Sequence, residues 1–131
     1  MIADSRPTVS TWIGRLISAF VVLVLLADAA SMLFMPATLA AEMESTGFAP
    51  GSLTPLGILV VVCAVLYALP RTAVLGAILV TGFLGGAICT HFRIGEIGSP
   101  PQLVCLALGL LTWGGLYLRS PALRRLLPVS A

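Results

Sequence analysis

The sequence predicts an all-α integral membrane protein, a four-helix bundle whose N and C termini both lie in the cytoplasm. Three observations support this fold class. Of the 131 residues, 59% are hydrophobic and only 9% are charged, four apolar segments alternate with polar connections, and most arginines lie near the ends of those segments. About a quarter of the residues in soluble domains are charged, so this composition places the chain in a lipid bilayer.

The four apolar segments have about the length of membrane-spanning helices. We place them at approximately residues 13–35, 53–69, 72–92 and 102–118. Because a helix needs about 20 apolar residues to cross about 30 Å of hydrocarbon, four spans use most of the chain. We therefore expect a single membrane domain over residues 1–131.

The first segment carries two charged residues with different consequences. Arg15 lies near one end and can extend to the interface. Asp28 lies on the order of 10 Å inside the other end, so it needs a partner or a protonated state. A cleaved signal peptide is the alternative interpretation, because Ala27 and Ala29 flank Asp28 in a small-x-small pattern. The apolar run continues to Met35, which favours a retained span.

The connection after the first segment is polar and acidic. We expect residues 37–43 to form a short helix on the membrane surface, with Leu39 and Met43 toward lipid and Glu42 toward water. Gly47 then breaks this helix.

The arginines predict the orientation in the membrane. With an even number of spans, both termini and the turn after the second segment share one side. That side carries six of the seven arginines, Arg6, Arg15, Arg71, Arg119, Arg124 and Arg125. Because positive residues concentrate in cytoplasmic loops, we expect the termini there and Arg93 with the acidic loops outside. The net charge of +2 is too small and too scattered to indicate nucleic-acid binding.

The third segment carries most of the polar residues that could form a site. At 100° per residue, one helix face holds Gly82, Gly86, Cys89 and Arg93. Glycines four residues apart allow a second helix to approach closely, so we expect Gly82, Gly85 and Gly86 to pack helices and this face to point into the bundle. His91 lies opposite Gly82, and we expect it at the membrane interface.

We expect Asp28 to meet Arg93 in the outer half of the bundle, because intramembrane charges usually face inward and pair. The pair is either a structural ion pair or the polar head of a pocket for a quinone, lipid or other amphipathic ligand. Alternatively, Asp28 stays protonated. Cys89, Thr90 and His91 lie at the same end and complete the candidate ligand-binding residues.

The sequence contains no recognisable catalytic set, so we identify no catalytic residue and expect no enzyme that works alone. His91 is the sole histidine, and its helix has no second ligand at metal-binding spacing, so we expect no metal site. The cysteines, Cys63, Cys89 and Cys105, lack CxxC spacing and are expected to act as small hydrophobes. A disulfide or redox pair of Cys89 and Cys105 is the open alternative.

Several stretches resemble the DoxX-like family of small bacterial four-helix membrane proteins. The most specific is Leu84-Gly85-Gly86-Ala87 followed by Thr90-His91-x-Arg93, and Asp28, the Gly47-Phe48 turn and LYLRSPALRRLLP also match. Relatives often carry a basic residue four positions after the aspartate, where this chain has Met32, which favours Arg93 as the partner of Asp28. The resemblance implies a four-helix bundle in the bacterial cytoplasmic (inner) membrane. Because the family is named for subunits associated with quinone-linked sulfur oxidation, it also implies an accessory redox role.

These features favour an accessory or quinone- or lipid-binding subunit of a membrane oxidoreductase system. Its expected partners are the lipid bilayer and an oxidoreductase subunit, and its candidate cofactor is a quinone. A small-molecule carrier or permease component is a second hypothesis, although no repeat relates the two halves of the chain. A structural membrane scaffold is a third.

Overall fold

A computed structural model describes residues 6–127, and this part of the chain is all helical, without strands. This confirms the all-α prediction. The helices are α1 (Val9–Phe34), α2 (Pro36–Thr46), α3 (Leu53–Ala68), α4 (Ala73–Arg93), α5 (Pro100–Arg119) and α6 (Pro121–Leu126). A single 3-10 turn, Pro50–Ser52, precedes α3.

Within residues 6–127, three helices are long and apolar enough to cross a membrane. These are α1, α4 and α5, with 26, 21 and 20 residues. Helix α3 is also apolar but has only 16 residues. The lengths and compositions therefore support a membrane protein with three candidate spans.

Helices α1, α3, α4 and α5 pack in a ring. α1 contacts α3 and α5, and α4 contacts the same two helices, so α1 and α4 lie diagonally across the ring. The shared core is aliphatic and comes from all four helices: Val21, Leu25, Val60, Ala64, Val80, Leu84, Leu108 and Leu116. Burying these side chains against one another fixes which face of each helix points inward.

Close backbone contacts lie at the end where α1 and α4 begin and α3 and α5 end. A Cβ added at Gly14 would lie 2.6 Å from the backbone nitrogen of Arg119 and 2.7 Å from the backbone oxygen of Gly115. A Cβ added at Gly76 would overlap the backbone of Tyr67. Only glycine permits such an approach, so these positions pack the helices.

Tyr67 is the polar centre of this end, which we call the Tyr67 end. Its side chain is fully buried, and its hydroxyl donates to the Thr112 carbonyl oxygen at 2.7 Å. Since that bond uses the phenolic proton, the Ser18 hydroxyl, 3.0 Å away, donates to the Tyr67 oxygen. Arg119 Nη2 donates to the Tyr67 carbonyl oxygen at 2.6 Å, and its guanidinium lies 4.9 Å from the ring centroid. Tyr67 therefore joins α1, α3 and α5.

The glycines expected to pack helices do not do so within the described chain. No neighbouring atom lies within 4 Å of a Cβ position at Gly82, Gly85 or Gly86. The reason is the orientation of α4, whose buried residues recur at spacings of four, three and four: Ala73, Ala77, Val80 and Leu84. Gly82 and Gly86 are exposed on another side of the helix, so the expectation that they face the bundle interior is corrected.

Candidate functional site

A cavity of about 370 Å³ lies at the opposite end of the ring, between α1, α2, α3 and α4. We call it the His91 cavity and this end the His91 end. Most of its wall is apolar, from Met32, Leu39, Met43, Phe48, Leu53, Leu56, Gly82, Phe83, Gly86 and Ala87. Its polar side chains are Asp28, Glu42, Thr46, Thr90 and His91.

Gly82 and Gly86 help to make this cavity. Both line it, and the Cβ position of each has open space to at least 4 Å. A larger residue at either position would project into that space. The glycine pair that the sequence assigned to helix packing therefore borders open space in the cavity instead.

Helix α2 closes one side of the cavity through a glycine cap. Gly47 takes a left-handed conformation with φ 80°. Its N–H donates to the backbone carbonyl oxygen of Glu44, and the Phe48 N–H donates to the backbone carbonyl oxygen of Met43. This is a Schellman motif, in which the residue after the glycine folds back toward the last helical turn. Both Met43 and Phe48 consequently line the cavity. The prediction that Leu39 and Met43 of α2 face lipid is corrected, because both residues line the cavity.

Helix α4 ends in the same motif. Gly95 has φ 82°, its N–H donates to Phe92 at 3.1 Å, and the Glu96 N–H donates to the His91 carbonyl oxygen at 2.9 Å. The reversal of the chain at Gly95 brings Glu96 back beside His91. The His91 Nδ1 and Glu96 Oε2 atoms are 2.6 Å apart.

His91 therefore lies between two carboxylates. The residue is only 7% exposed, although the sequence placed it at the membrane interface. Because a carboxylate accepts hydrogen bonds, Nδ1 carries the proton that is donated to Glu96. The other ring nitrogen, Nε2, lies 3.8 Å from Glu42 Oε1, which is too long for a hydrogen bond. This approach brings Glu42 of α2 near the end of α4.

Asp28 and Arg93 do not form the expected pair. Among residues 6–127, no ion pair within 4.0 Å joins them. Asp28 lines the cavity, whereas the Arg93 guanidinium lies against Gly47, with Nη2 3.1 Å from the position of a Cβ on that glycine. The left-handed turn at Gly47 thus leaves room for Arg93 outside the cavity, and Asp28 faces the open space.

The remaining candidate residues, Thr90 and Cys89, do not lie in the same place. Thr90 lines the cavity and its hydroxyl donates to the Gly86 carbonyl oxygen at 2.9 Å. Cys89 is exposed outside the cavity, and Cys105 lines a shallow apolar groove between α4 and α5. All three cysteines are free, so the structure contains no Cys89–Cys105 disulfide. In the described part of the chain, no group of three His, Cys, Asp or Glu residues is arranged to hold a metal ion.

Sequence reasoning missed Glu42 and Glu96 as partners of His91. The position of Glu42 depends on the tertiary placement of α2, and that of Glu96 depends on the cap at Gly95. One signal for His91 was present, because it lies seven residues after the buried Leu84 and fourteen after Ala77. That spacing continues the packed face of α4. The glycine pattern instead predicted that the face of Gly82 is the packed one, and His91 lies opposite Gly82.

Comparison with known proteins identifies one relationship. The model of the DoxX-like family matches residues 16–115 of this chain. No curated protein and no solved structure matches this chain. The matched region contains all five polar residues of the His91 cavity and covers well over half of the sequence. The chain therefore belongs to the DoxX-like family.

Proposed function

We propose that this protein binds a small amphipathic molecule in the His91 cavity and serves as an accessory subunit of a membrane oxidoreductase system. The observation that carries the binding proposal is the cavity of about 370 Å³, with its few polar groups set in an apolar wall. Ligand sites of small molecules typically measure about 300–1,000 Å³ and combine an apolar lining with a few placed polar groups.

The proposed position in the membrane explains how such a ligand would enter. We propose that α3 is a fourth span and that both termini are cytoplasmic. The short helix packs between α1 and α4, and Arg15, Arg71, Arg119 and Arg124 all belong to the Tyr67 end. The positive-inside rule then puts that end in the cytoplasm and the His91 cavity toward the outer face of the bacterial inner membrane. An amphipathic ligand in the outer leaflet would have its polar head at the depth of the cavity.

Cysteine labelling tests this topology. In a chain whose native cysteines are replaced by alanine, Glu44→Cys, before α3, marks the His91 end, and Arg71→Cys, after α3, marks the Tyr67 end. The two positions lie on opposite sides of the membrane only if α3 crosses it. A membrane-impermeant maleimide added outside intact inner-membrane vesicles of known orientation should label only one of the two. Labelling of both from the same side would contradict four spans.

The redox part of the proposal draws on the DoxX-like family and its association with quinone-linked oxidation. Because we identify no catalytic residue, the chemistry would belong to the partner, and this chain would supply binding. A quinone is accordingly one ligand to test. Purification in a mild detergent followed by mass spectrometry of bound proteins and small molecules tests both parts. We expect an oxidoreductase subunit and a small apolar molecule to co-purify, and a chain recovered alone and empty would contradict the proposal.

A further inference from the structure

We infer that the ligand of the His91 cavity is an organic cation, a protonated amine or a quaternary ammonium on an apolar body. This inference rests on the proposed function, that the cavity holds an amphipathic ligand, and it names the class of that ligand. It is carried by the hydrogen-bonding roles of the polar atoms in the cavity wall.

Every polar side chain that lines the cavity offers an acceptor. Asp28 and Glu42 carry carboxylates, which only accept when ionised. The hydroxyl protons of Thr46 and Thr90 are already donated to the helix carbonyl oxygens of Glu42 and Gly86, both at 2.9 Å. The ligand must therefore supply the donor or the positive charge.

His91 lies within the same acidic surrounding. Its Nδ1 atom is 2.6 Å from Glu96 Oε2, and its Nε2 atom is 3.8 Å from Glu42 Oε1. This side chain is more than nine-tenths buried, lines the cavity, and has no hydrogen-bond partner at Nε2 among residues 6–127. Glu42 and Glu96 therefore add acidic groups around this ring, at the polar end of the cavity.

The charge balance favours a cation over a neutral donor. Two carboxylates line the cavity and no lysine or arginine does, since Arg93 lies outside it against Gly47. The charge of an ionised carboxyl group next to hydrocarbon is costly, and a bound monocation would reduce that cost.

The apolar wall suits the rest of such a molecule. Phe48 and Phe83 provide aromatic rings, and aromatic faces attract quaternary ammonium groups. Met32 and Met43 add flexible, polarizable side chains that adapt to ligands of varied shape. Carboxylates, aromatic rings and methionines together fit a lipophilic cation.

A pair of isosteric probes isolates the charge. Phenyltrimethylammonium and tert-butylbenzene have nearly the same shape, and only the first is charged. We expect the purified full-length protein in a neutral detergent to bind the cation at least roughly tenfold more tightly, measured by calorimetric titration. Equal binding of the neutral probe would overturn the cation inference and leave the proposed binding function intact. Binding of neither probe would overturn the inference, and an empty cavity in the co-purification experiment would then remove the proposed function too.

Charge variants locate the binding site. Asp28→Asn and Glu42→Gln should each weaken binding of phenyltrimethylammonium by roughly tenfold, while Asp28→Glu should retain it. The matched control is Glu44→Gln, which removes the same charge from an exposed position on α2 outside the cavity and should leave the affinity unchanged. Thermal unfolding of each variant checks that it is folded. Wild-type affinity in both Asp28→Asn and Glu42→Gln would overturn the inference.

Discussion

Glycines lie in opposite surroundings at the two ends of the helix ring. At the Tyr67 end, Gly14 and Gly76 let helices touch backbone to backbone. At the His91 end, Gly82 and Gly86 have open space at their Cβ positions and line a cavity. A glycine in a membrane helix can thus close the distance between helices or leave room for a ligand, and the local sequence pattern alone does not distinguish the two.

The polar groups differ in the same way. Tyr67 has its hydroxyl and carbonyl groups bonded to partners on α1 and α5. At the His91 end, Asp28, Glu42 and His91 instead line a cavity. Since binding sites are drawn from the less tightly packed parts of a protein, we expect stability to depend on the Tyr67 end and ligand binding on the His91 end.

The largest expected effect is that of Gly76→Ala. The new methyl group would overlap the Tyr67 backbone, which cannot move without separating α3 from α4. Overpacking of this kind typically costs about 1–3 kcal/mol, so we expect a clear loss of thermal stability in detergent or a loss of folded protein.

The matched control for Gly76→Ala is Gly82→Ala in the same helix. It adds the same methyl group where no neighbouring atom lies within 4 Å, and alanine favours the helix over glycine, so its unfolding temperature should be no lower than that of the wild type. Equal unfolding temperatures for Gly76→Ala and Gly82→Ala would show that the close contact at the Tyr67 end does not limit stability.

A smaller loss is expected for Tyr67→Phe. The substitution keeps the ring and its contact with Arg119 but removes the hydroxyl that joins Ser18 to Thr112. Hydrogen bonds between membrane helices contribute about 0.6–2 kcal/mol, so we expect a destabilisation of about 1 kcal/mol in reversible unfolding. Tyr117→Phe, at a half-buried position on α5, is the control and should cost less. The idea of a Tyr67-centred network fails if the two variants are equally stable.

A local effect is expected at the His91 end from Glu96→Ala. The substitution removes the 2.6 Å bond to His91 but keeps the backbone cap at Gly95. Hydrogen–deuterium exchange of residues 92–98 should become faster, while the unfolding temperature stays near that of the wild type because global stability depends on the other end. Unchanged exchange would mean that the glycine cap alone holds this turn.

Much of the fold follows from composition and periodicity. The apolar segments predict helices because a bilayer requires every backbone group to be bonded within the segment. The site was harder to predict, since Asp28 and His91 could be recognised as unusual polar residues but their partners could not. Glu42 approaches His91 only through the tertiary placement of α2, which packs against α1 and has no local signal in the sequence.

The expected partnership of Asp28 with Arg93 shows why pairing rules have limits. The rule assumes that opposite charges in a membrane converge, and it is sound for two buried residues. Arg93, however, is the last residue of α4, where its side chain can extend along the protein surface to Gly47. A charged side chain at a helix end can extend along the surface instead of pointing into the bundle. Residue spacing on α4 therefore could not identify the partner of Arg93.

The smallest expected change in stability, and the clearest separation of the two ends, comes from Gly86→Val. The Cβ position of Gly86 is open and lines the His91 cavity, so the added side chain should occupy ligand space without displacing any neighbour. We expect the free energy of unfolding to stay within about 0.5 kcal/mol of the wild type. The amount of co-purified small molecule, measured by mass spectrometry, should nevertheless fall sharply. Gly85→Val is the matched control, because the neighbouring glycine is equally open but lines the groove between α4 and α5. If both variants retain the ligand equally, the ligand does not lie in the His91 cavity; if Gly86→Val unfolds, that end contributes to stability after all.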